Sequence, residues 1–225
     1  MKQDSKSFLH SVSILFTGTV IAQILGYLAS PVISRQFGPD ESAYLGLFLR
    51  ITTLGAAVAT IRLELAFPIE RQDHHAFGLY RFSIRASLIL SLAAFLGLVV
   101  YGTLDFKSSE GFLFLLSLPL GIFLTAFFNQ GSSWALREEN YSLISRSSLL
   151  LSIFINGFKV LFGLLGGNFL LLIGATILGY IIATFTFLKN YLSNRKKYHL
   201  NANSKRTKAI GLLRVRRGGW SPEIS

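Results

Sequence analysis

The chain has 225 residues, of which 51% are hydrophobic and only 15% are charged. Soluble domains carry about 25% charged residues, so this composition indicates a membrane protein. The absence of cysteine excludes a disulfide framework and thiolate metal sites. The net charge of +11 would suit nucleic-acid binding, unless the charges lie where a membrane topology requires them.

Six stretches have the roughly 20 apolar residues that a membrane-spanning helix needs. They lack the alternation of barrel strands, and open sheet edges are not viable in lipid, so we expect helices. The first run is too long for a signal peptide and has no clear cleavage site, so we interpret it as a retained helix. The predicted fold is an all-α integral membrane protein with six transmembrane helices: Ser11–Ile33, Ala43–Phe67, Phe82–Leu104, Phe112–Asn129, Leu149–Leu165 and Phe169–Leu188.

Small residues form a stripe along the first and the sixth predicted helices. Helices associate in lipid through close packing at such stripes, so both are expected to contact a neighbouring helix or a second protomer. The alternative is that small residues fall there by chance. The stripes consist of Gly18, Ala22, Gly26 and Ser30 in the first helix, and Ala175, Gly179 and Ala183 in the sixth.

The second predicted helix carries three charges within the membrane. Arg50 lies about 10 Å from its outer end, counted at the helical rise. Arg62 and Glu64 lie near its inner end, about 200° apart on a helix, so we expect them not to pair well. Arg50 and Glu64 fall within about 40° of one face. Glu64 is therefore predicted to face the bundle, as the partner of a basic group or as a protonatable coupling carboxylate, while Arg62 is turned aside.

The fifth predicted helix carries Lys159, about 9 Å from its outer end and so close in depth to Arg50. Asn156 lies on the same face, three residues earlier. Two cations at one depth without an acid there predict a polar cavity that takes an anion such as a diphosphate. The alternative is that both cations extend to the outer interface.

The positions of Lys and Arg predict the orientation. An inner N-terminus, residues 1–10, puts 17 of the 22 cations inside and only Arg35 and Lys107 outside. Ten of the inner cations lie in the basic tail, residues 189–225, which either contacts anionic headgroups or is solvated. The predicted topology therefore has both termini inside, and the basic charge is explained without nucleic acid.

No enzyme motif is present: the chain lacks a Walker-type loop, H-E-x-x-H and G-x-S-x-G. We therefore expect no catalytic residues, cofactor or metal. Without a nucleotide site the chain is not an ATP-driven pump by itself.

The segments "TGTVIAQILGYLASPVISRQFGPDESAYLGLF" and "ATIRLELAFPI" resemble the N-terminal region of bacterial polysaccharide-biosynthesis membrane proteins. These are lipid-linked oligosaccharide flippases of the MATE-like multidrug/oligosaccharidyl-lipid/polysaccharide exporter superfamily. The resemblance covers roughly residues 11–104, through the Thr-Gly, the Ser-Arg-x-Phe-Gly-Pro turn and the Arg-Leu-Glu at Arg62–Glu64.

The resemblance implies an inner-membrane carrier that moves undecaprenyl-diphosphate-linked oligosaccharide repeat units to the periplasmic leaflet by alternating access. A cationic cavity facing the diphosphate, which the family implies, would use Arg50 and Lys159 here. Partners would be membrane lipid, the lipid-linked oligosaccharide and polysaccharide assembly proteins.

The chain departs from the family in size, since such transporters have twelve to fourteen spans in two bundles. Six spans imply one bundle that needs a second copy or a separate C-terminal half, or a truncated product. The alternatives are a cation-coupled drug exporter of the MATE type and a non-transporting membrane fragment or assembly partner.

Overall fold

The computed structural model describes the backbone of residues 2–105 and 109–218 and the side chains of residues 13–101 and 110–195. These residues form six α-helices and one 3₁₀ turn, with no strand among them. Each helix has a segment long and apolar enough to cross a membrane, which confirms the predicted all-α fold with six membrane-length helices. The elements are α1 (Lys2–Gln36), α2 (Pro39–Thr60), the 3₁₀ turn (Leu63–Leu65), α3 (Asp73–Asp105), α4 (Ser109–Arg137), α5 (Tyr141–Leu164) and α6 (Phe169–Gly218).

The chain divides into two compact units, residues 1–187 and 188–225. The first contains α1 to α5 and the beginning of α6, and the second contains the rest of α6. The predicted outer-loop residue Lys107 and residues 219–225 of the predicted tail lie outside the described residues.

Most helices extend beyond their predicted apolar runs, because hydropathy marks only the part of a helix that lies in hydrocarbon. The fifth helix begins at Tyr141, eight residues before the predicted start at Leu149. Asn140 caps it, since its side chain accepts a hydrogen bond from the Leu143 N–H at 3.1 Å. Pro39 occupies the first turn of α2, where its missing N–H costs nothing.

The second helix ends earlier than predicted, at Thr60 and not at Phe67. Ile61 and Arg62 both adopt the left-handed conformation, with φ of 51° and 54°. This conformation costs roughly 1–2 kcal/mol for a residue with a side chain. The 3₁₀ turn then redirects the chain toward α3. Helical angles apply only within one helix, so the prediction that Arg50 and Glu64 share a face is wrong.

The fourth helix lies at the centre of the first unit. Of the membrane-length segment of this helix, 44% is buried, compared with 6% of the corresponding segments of α1 and α5. Gly121 of α4 lets Phe48 and Thr52 of α2 approach, and Gly131 lets Phe187 of α6 approach. Phe48 also packs with Phe114 and Ile173 in a buried cluster that joins α2, α4 and α6. The α2 and α4 helices are therefore held together by direct side-chain packing.

The first helix packs along α5. At Gly18 a Cβ would overlap the Ser145 hydroxyl, so only glycine allows this approach. The Ser152 hydroxyl donates to the Ala22 carbonyl at 2.6 Å, one turn further along. Three members of the predicted α1 stripe, Gly18, Ala22 and Gly26, thus lie against α5, whereas Ser30 is exposed.

The predicted stripe on α6 is buried at all three positions, since Ala175 and Ala183 have no exposed surface and Gly179 is buried. A Cβ on Gly179 would lie 3.0 Å from the backbone nitrogen of Ile155 in α5. The α5 and α6 helices also share a hydrogen bond between the Ser147 and Thr186 hydroxyls, 2.6 Å apart. This stripe therefore faces the interior of the first unit.

Candidate functional site

Arg50 lies in the middle of α2, eleven residues after Pro39 and ten before Thr60. At the helical rise this is about 15 Å from either end, deeper than the predicted 10 Å because α2 begins before Ala43. The Arg50 side chain is exposed, on a stripe shared with Leu47 and Leu54, while Phe48 and Thr52 face the bundle. A cation at the centre of an apolar helix therefore points away from the packed core.

Lys159 lies five residues before the end of α5, about 8 Å from that end. The C-terminal end of α5 and the N-terminal end of α2 lie at one level, because Gly163 and Gly167 approach Gln36 and Phe37, just before α2 begins. Arg50 therefore lies about 8 Å further from this level along its helix than Lys159 does along α5. Extension to the interface suits a residue near a helix end such as Lys159, but not Arg50.

Asn156 lies in the interface between α1 and α5. Its amide nitrogen donates to the Ser152 carbonyl at 2.8 Å and to the Ser152 hydroxyl at 3.2 Å. The same nitrogen lies 3.9 Å from where a Cβ on Gly26 would stand. The described contacts therefore bring Asn156 to α1, and none of them joins it or Lys159 to Arg50.

Glu64 is buried in the 3₁₀ turn, with 5% of its surface exposed. Its Oε1 lies 4.0 Å from Nη1 of Arg62, which makes a long ion pair. Helix α2 has already ended, and the left-handed backbone brings the side chains together. Because the Arg62 side chain is 67% exposed, this pair is worth at most about 1 kcal/mol. The other oxygen, Oε2, is buried and has no hydrogen-bond partner among the described residues.

Arg137 holds the segment between α2 and α3, a role that the sequence did not reveal. Its Nη1 donates to the carbonyls of Phe67, at 2.6 Å, and Glu70. Its Nη2 donates to the Asp73 carboxylate at 2.7 Å. The last turn of α4 is thereby tied to the segment that follows the 3₁₀ turn. We name this arrangement the Arg137 clamp.

A second unpredicted feature is a row of polar side chains between α3 and α4, which we name the polar seam. It consists of Ser83, Ser87 and Ser91 of α3 and Gln130 of α4, all buried. The Gln130 amide donates to the Ser83 hydroxyl at 3.0 Å and to the Ser87 hydroxyl at 3.4 Å. Serines spaced four apart in an apolar helix were the signal that could have revealed it.

These features define a multi-pass helical membrane protein with a central cation on an open helix face and a buried carboxylate at one helix end. Comparison of the chain with protein-family models, with curated proteins and with solved structures finds no match.

Proposed function

We propose that the chain is a membrane transporter of the polysaccharide-export type. Its cargo is the undecaprenyl-diphosphate-linked oligosaccharide repeat unit, moved from the cytoplasmic to the periplasmic leaflet of a bacterial inner membrane by alternating access. The observation that carries the proposal is the exposed position of Arg50 at the middle of α2.

A cation at the centre of a lipid-facing helix costs about 2.5–3.5 kcal/mol on insertion scales. The cost is avoided where the cation lines a water-filled cavity or binds an anionic guest. A diphosphate suits this role, because guanidinium–phosphate hydrogen bonds are charge-assisted and bidentate. The Arg50 face of α2 is therefore the proposed wall of the cargo cavity.

The cavity needs a second wall. The face of α2 opposite Arg50 packs on α3 and α4, so the cargo lies between this bundle and another one. A second copy of the chain or a separate C-terminal half supplies the other bundle, and alternating access is the rocking of one against the other. Lys159, half-buried near the outer end of α5, is a secondary contact for the anion.

The sequence supports the orientation of this transporter. With 17 of the 22 cations on the cytoplasmic side, both termini face the cytoplasm, where the lipid-linked unit is loaded. Polysaccharide assembly proteins are the proposed partners that receive the unit on the periplasmic side.

Deletion of the gene tests the proposal. We expect lipid-linked repeat units to accumulate on the inner leaflet and periplasmic polymer to be lost, with rescue by the wild-type gene but not by Arg50→Gln. Arg146→Gln, which removes an exposed arginine of α5, is the matched control and should rescue. Unchanged polymer in the deletion strain would refute the proposal. Altered drug efflux with normal polymer would instead identify a drug exporter.

A further inference from the structure

The basic tail, residues 189–225, holds most of the net charge of the chain. It carries ten of the 22 Lys and Arg residues but only one of the 11 acidic residues, Glu223. It therefore contributes +9 of the net charge of +11. No acidic residue occurs between Lys189 and Pro222. The basic character of the chain is thus concentrated in the segment that follows its last predicted membrane-spanning run.

The membrane topology does not account for this charge. Without the tail, seven Lys and Arg residues still lie on the predicted cytoplasmic side, compared with Arg35 and Lys107 on the outer side. That excess is already enough to orient the helices. The ten cations of the tail therefore need a reason other than orientation.

The backbone of the tail continues α6 as a helix as far as Gly218. Cations three or four residues apart on a helix destabilise it, and acidic residues at the same spacing stabilise it. Lys205 and Lys208 are three residues apart, and so are Arg214 and Arg217. Since the helical part of the tail contains no acidic residue, its counter-charge has to come from outside the chain.

The membrane surface is the nearest source of that counter-charge. The membrane-length segment of α6 ends at Arg195, which is exposed, and Lys196 and Lys197 follow directly. These two residues lie within about 3 Å of Arg195 along the helix, which is less than the Debye length of about 8 Å at physiological ionic strength. Each Lys or Arg near an anionic membrane surface changes the ratio of bound to free tail by about fivefold.

The sequence of the tail favours binding through charge and not through apolar insertion. Between Leu200 and Ile210 the only apolar residues are Ala202 and Ala209. A helix that inserts into the interface needs apolar residues that recur at every third or fourth position. Binding through charge alone weakens in salt, because salt screens exposed charges.

A polynucleotide offers phosphates as well, but it has to be recruited from solution. The tail is covalently joined to a helix with a membrane-length segment, so lipid headgroups are present at a high effective concentration. This difference favours the membrane surface as the partner of the tail.

We propose that the basic tail is a docking surface for the headgroups of anionic phospholipids, which it binds through charge. The lipids concerned are those of the leaflet that α6 leaves at Arg195. The proposal does not depend on the cargo named under the proposed function.

Fluorescence energy transfer to the membrane surface tests this proposal. The chain has no cysteine, so Ser204→Cys provides a single attachment site for a fluorophore within the tail. The full chain is placed in phosphatidylcholine nanodiscs that contain an acceptor-labelled lipid, with or without phosphatidylglycerol. Transfer is measured at about 0.1 M and about 1 M NaCl, where the Debye length is about 10 Å and about 3 Å.

We expect phosphatidylglycerol to increase the transfer at the lower salt concentration, and the higher concentration to abolish the increase. Lys205→Gln combined with Arg206→Gln should lower the ratio of bound to free tail by about 25-fold, at about fivefold for each charge. Glutamine has a helix propensity similar to that of lysine and arginine, so the helix should be retained. The control, Arg71→Gln combined with Arg146→Gln, removes the same charge from exposed positions outside the tail and should behave like the wild type.

Transfer that does not respond to phosphatidylglycerol, or an increase that persists at the higher salt concentration, would refute the proposal. An equal loss in the two double variants would also refute it, because only the overall charge would then matter. A response to an added single-stranded polynucleotide but not to phosphatidylglycerol would identify a nucleic-acid-binding surface instead. None of these outcomes bears on the proposed function, because no lipid-linked oligosaccharide is present.

Discussion

Substitution of Arg137 by methionine should loosen the segment between α2 and α3. The change keeps most of the side-chain volume and removes the guanidinium from the Arg137 clamp. Two backbone carbonyls, those of Phe67 and Glu70, then lose a charged donor. Such hydrogen bonds contribute about 1.5–3 kcal/mol each where they are shielded from water.

The size of the effect follows from the burial of the partners. The Arg137 side chain is 11% exposed, so its hydrogen bonds to the carbonyls are largely shielded. Asp73 is 73% exposed, so its ion pair adds at most about 1 kcal/mol. Water can reach the freed carbonyls in part, and we therefore expect a total loss of about 2–4 kcal/mol. A loss of about 3 kcal/mol raises about 100-fold the fraction of molecules in which the segment between α2 and α3 is open.

Limited trypsin digestion measures this opening, because Arg71 is exposed within the segment that the clamp holds. Arg137→Met should speed cleavage after Arg71 and lower the thermal stability in detergent. Arg146→Met, an exposed arginine on α5, is the control and should behave like the wild type. Equal cleavage rates in the two variants would refute the assignment of the clamp.

Two further predictions concern the backbone. Gly18→Ala should destabilise the protein by about 1–3 kcal/mol, because the added Cβ meets the side chain and backbone of Ser145; Gly46→Ala, with open space around it, should be neutral or stabilising. Thermal unfolding in detergent measures both, and equal effects would contradict the α1–α5 packing. Ile61→Gly should stabilise by about 1 kcal/mol, because glycine accepts the left-handed backbone. Val58→Gly, inside α2, should instead destabilise by about 1 kcal/mol in the same measurement, and a loss of stability in both variants would contradict the strain at Ile61.

The six helices could be predicted from the sequence because each has an apolar run of membrane length. The small-residue stripe on α1 marked a packing face, but its partner α5 lies more than 100 residues away and has no matching stripe of glycines. Packing of this kind depends on the whole bundle, so a single helix shows only one half of it.

The end of α2 could not be predicted, because no glycine, asparagine or proline interrupts the chain between Thr60 and Phe67. The only local sign was the presence of two charged residues, Arg62 and Glu64, in an apolar stretch. The prediction placed both residues on α2 and derived their faces from helical periodicity, although the helix ends before them. The left-handed residues are maintained by tertiary contacts: the 3₁₀ turn packs on α3 and α4, and the clamp fixes the segment beyond it.

The clamp itself was hidden for a different reason. Arg137 was counted as one of the charges that set the topology, and its partner Phe67 is 70 residues away in sequence. Backbone carbonyls carry no sequence signal, so such contacts become visible only in the structure.

Transport in proteoliposomes shows directly whether the chain moves a lipid-linked diphosphate across a bilayer and whether Arg50 is needed. A fluorescent lipid-linked oligosaccharide diphosphate is placed in one leaflet, and its movement to the other is followed for the wild type, Arg50→Gln and the control Arg146→Gln. We expect movement with the wild type and the control, and a rate at least about tenfold slower with Arg50→Gln, equivalent to about 1.4 kcal/mol for one lost charge-assisted contact. A rate in the wild type no greater than in protein-free vesicles, or an unchanged rate in Arg50→Gln, would contradict this expectation.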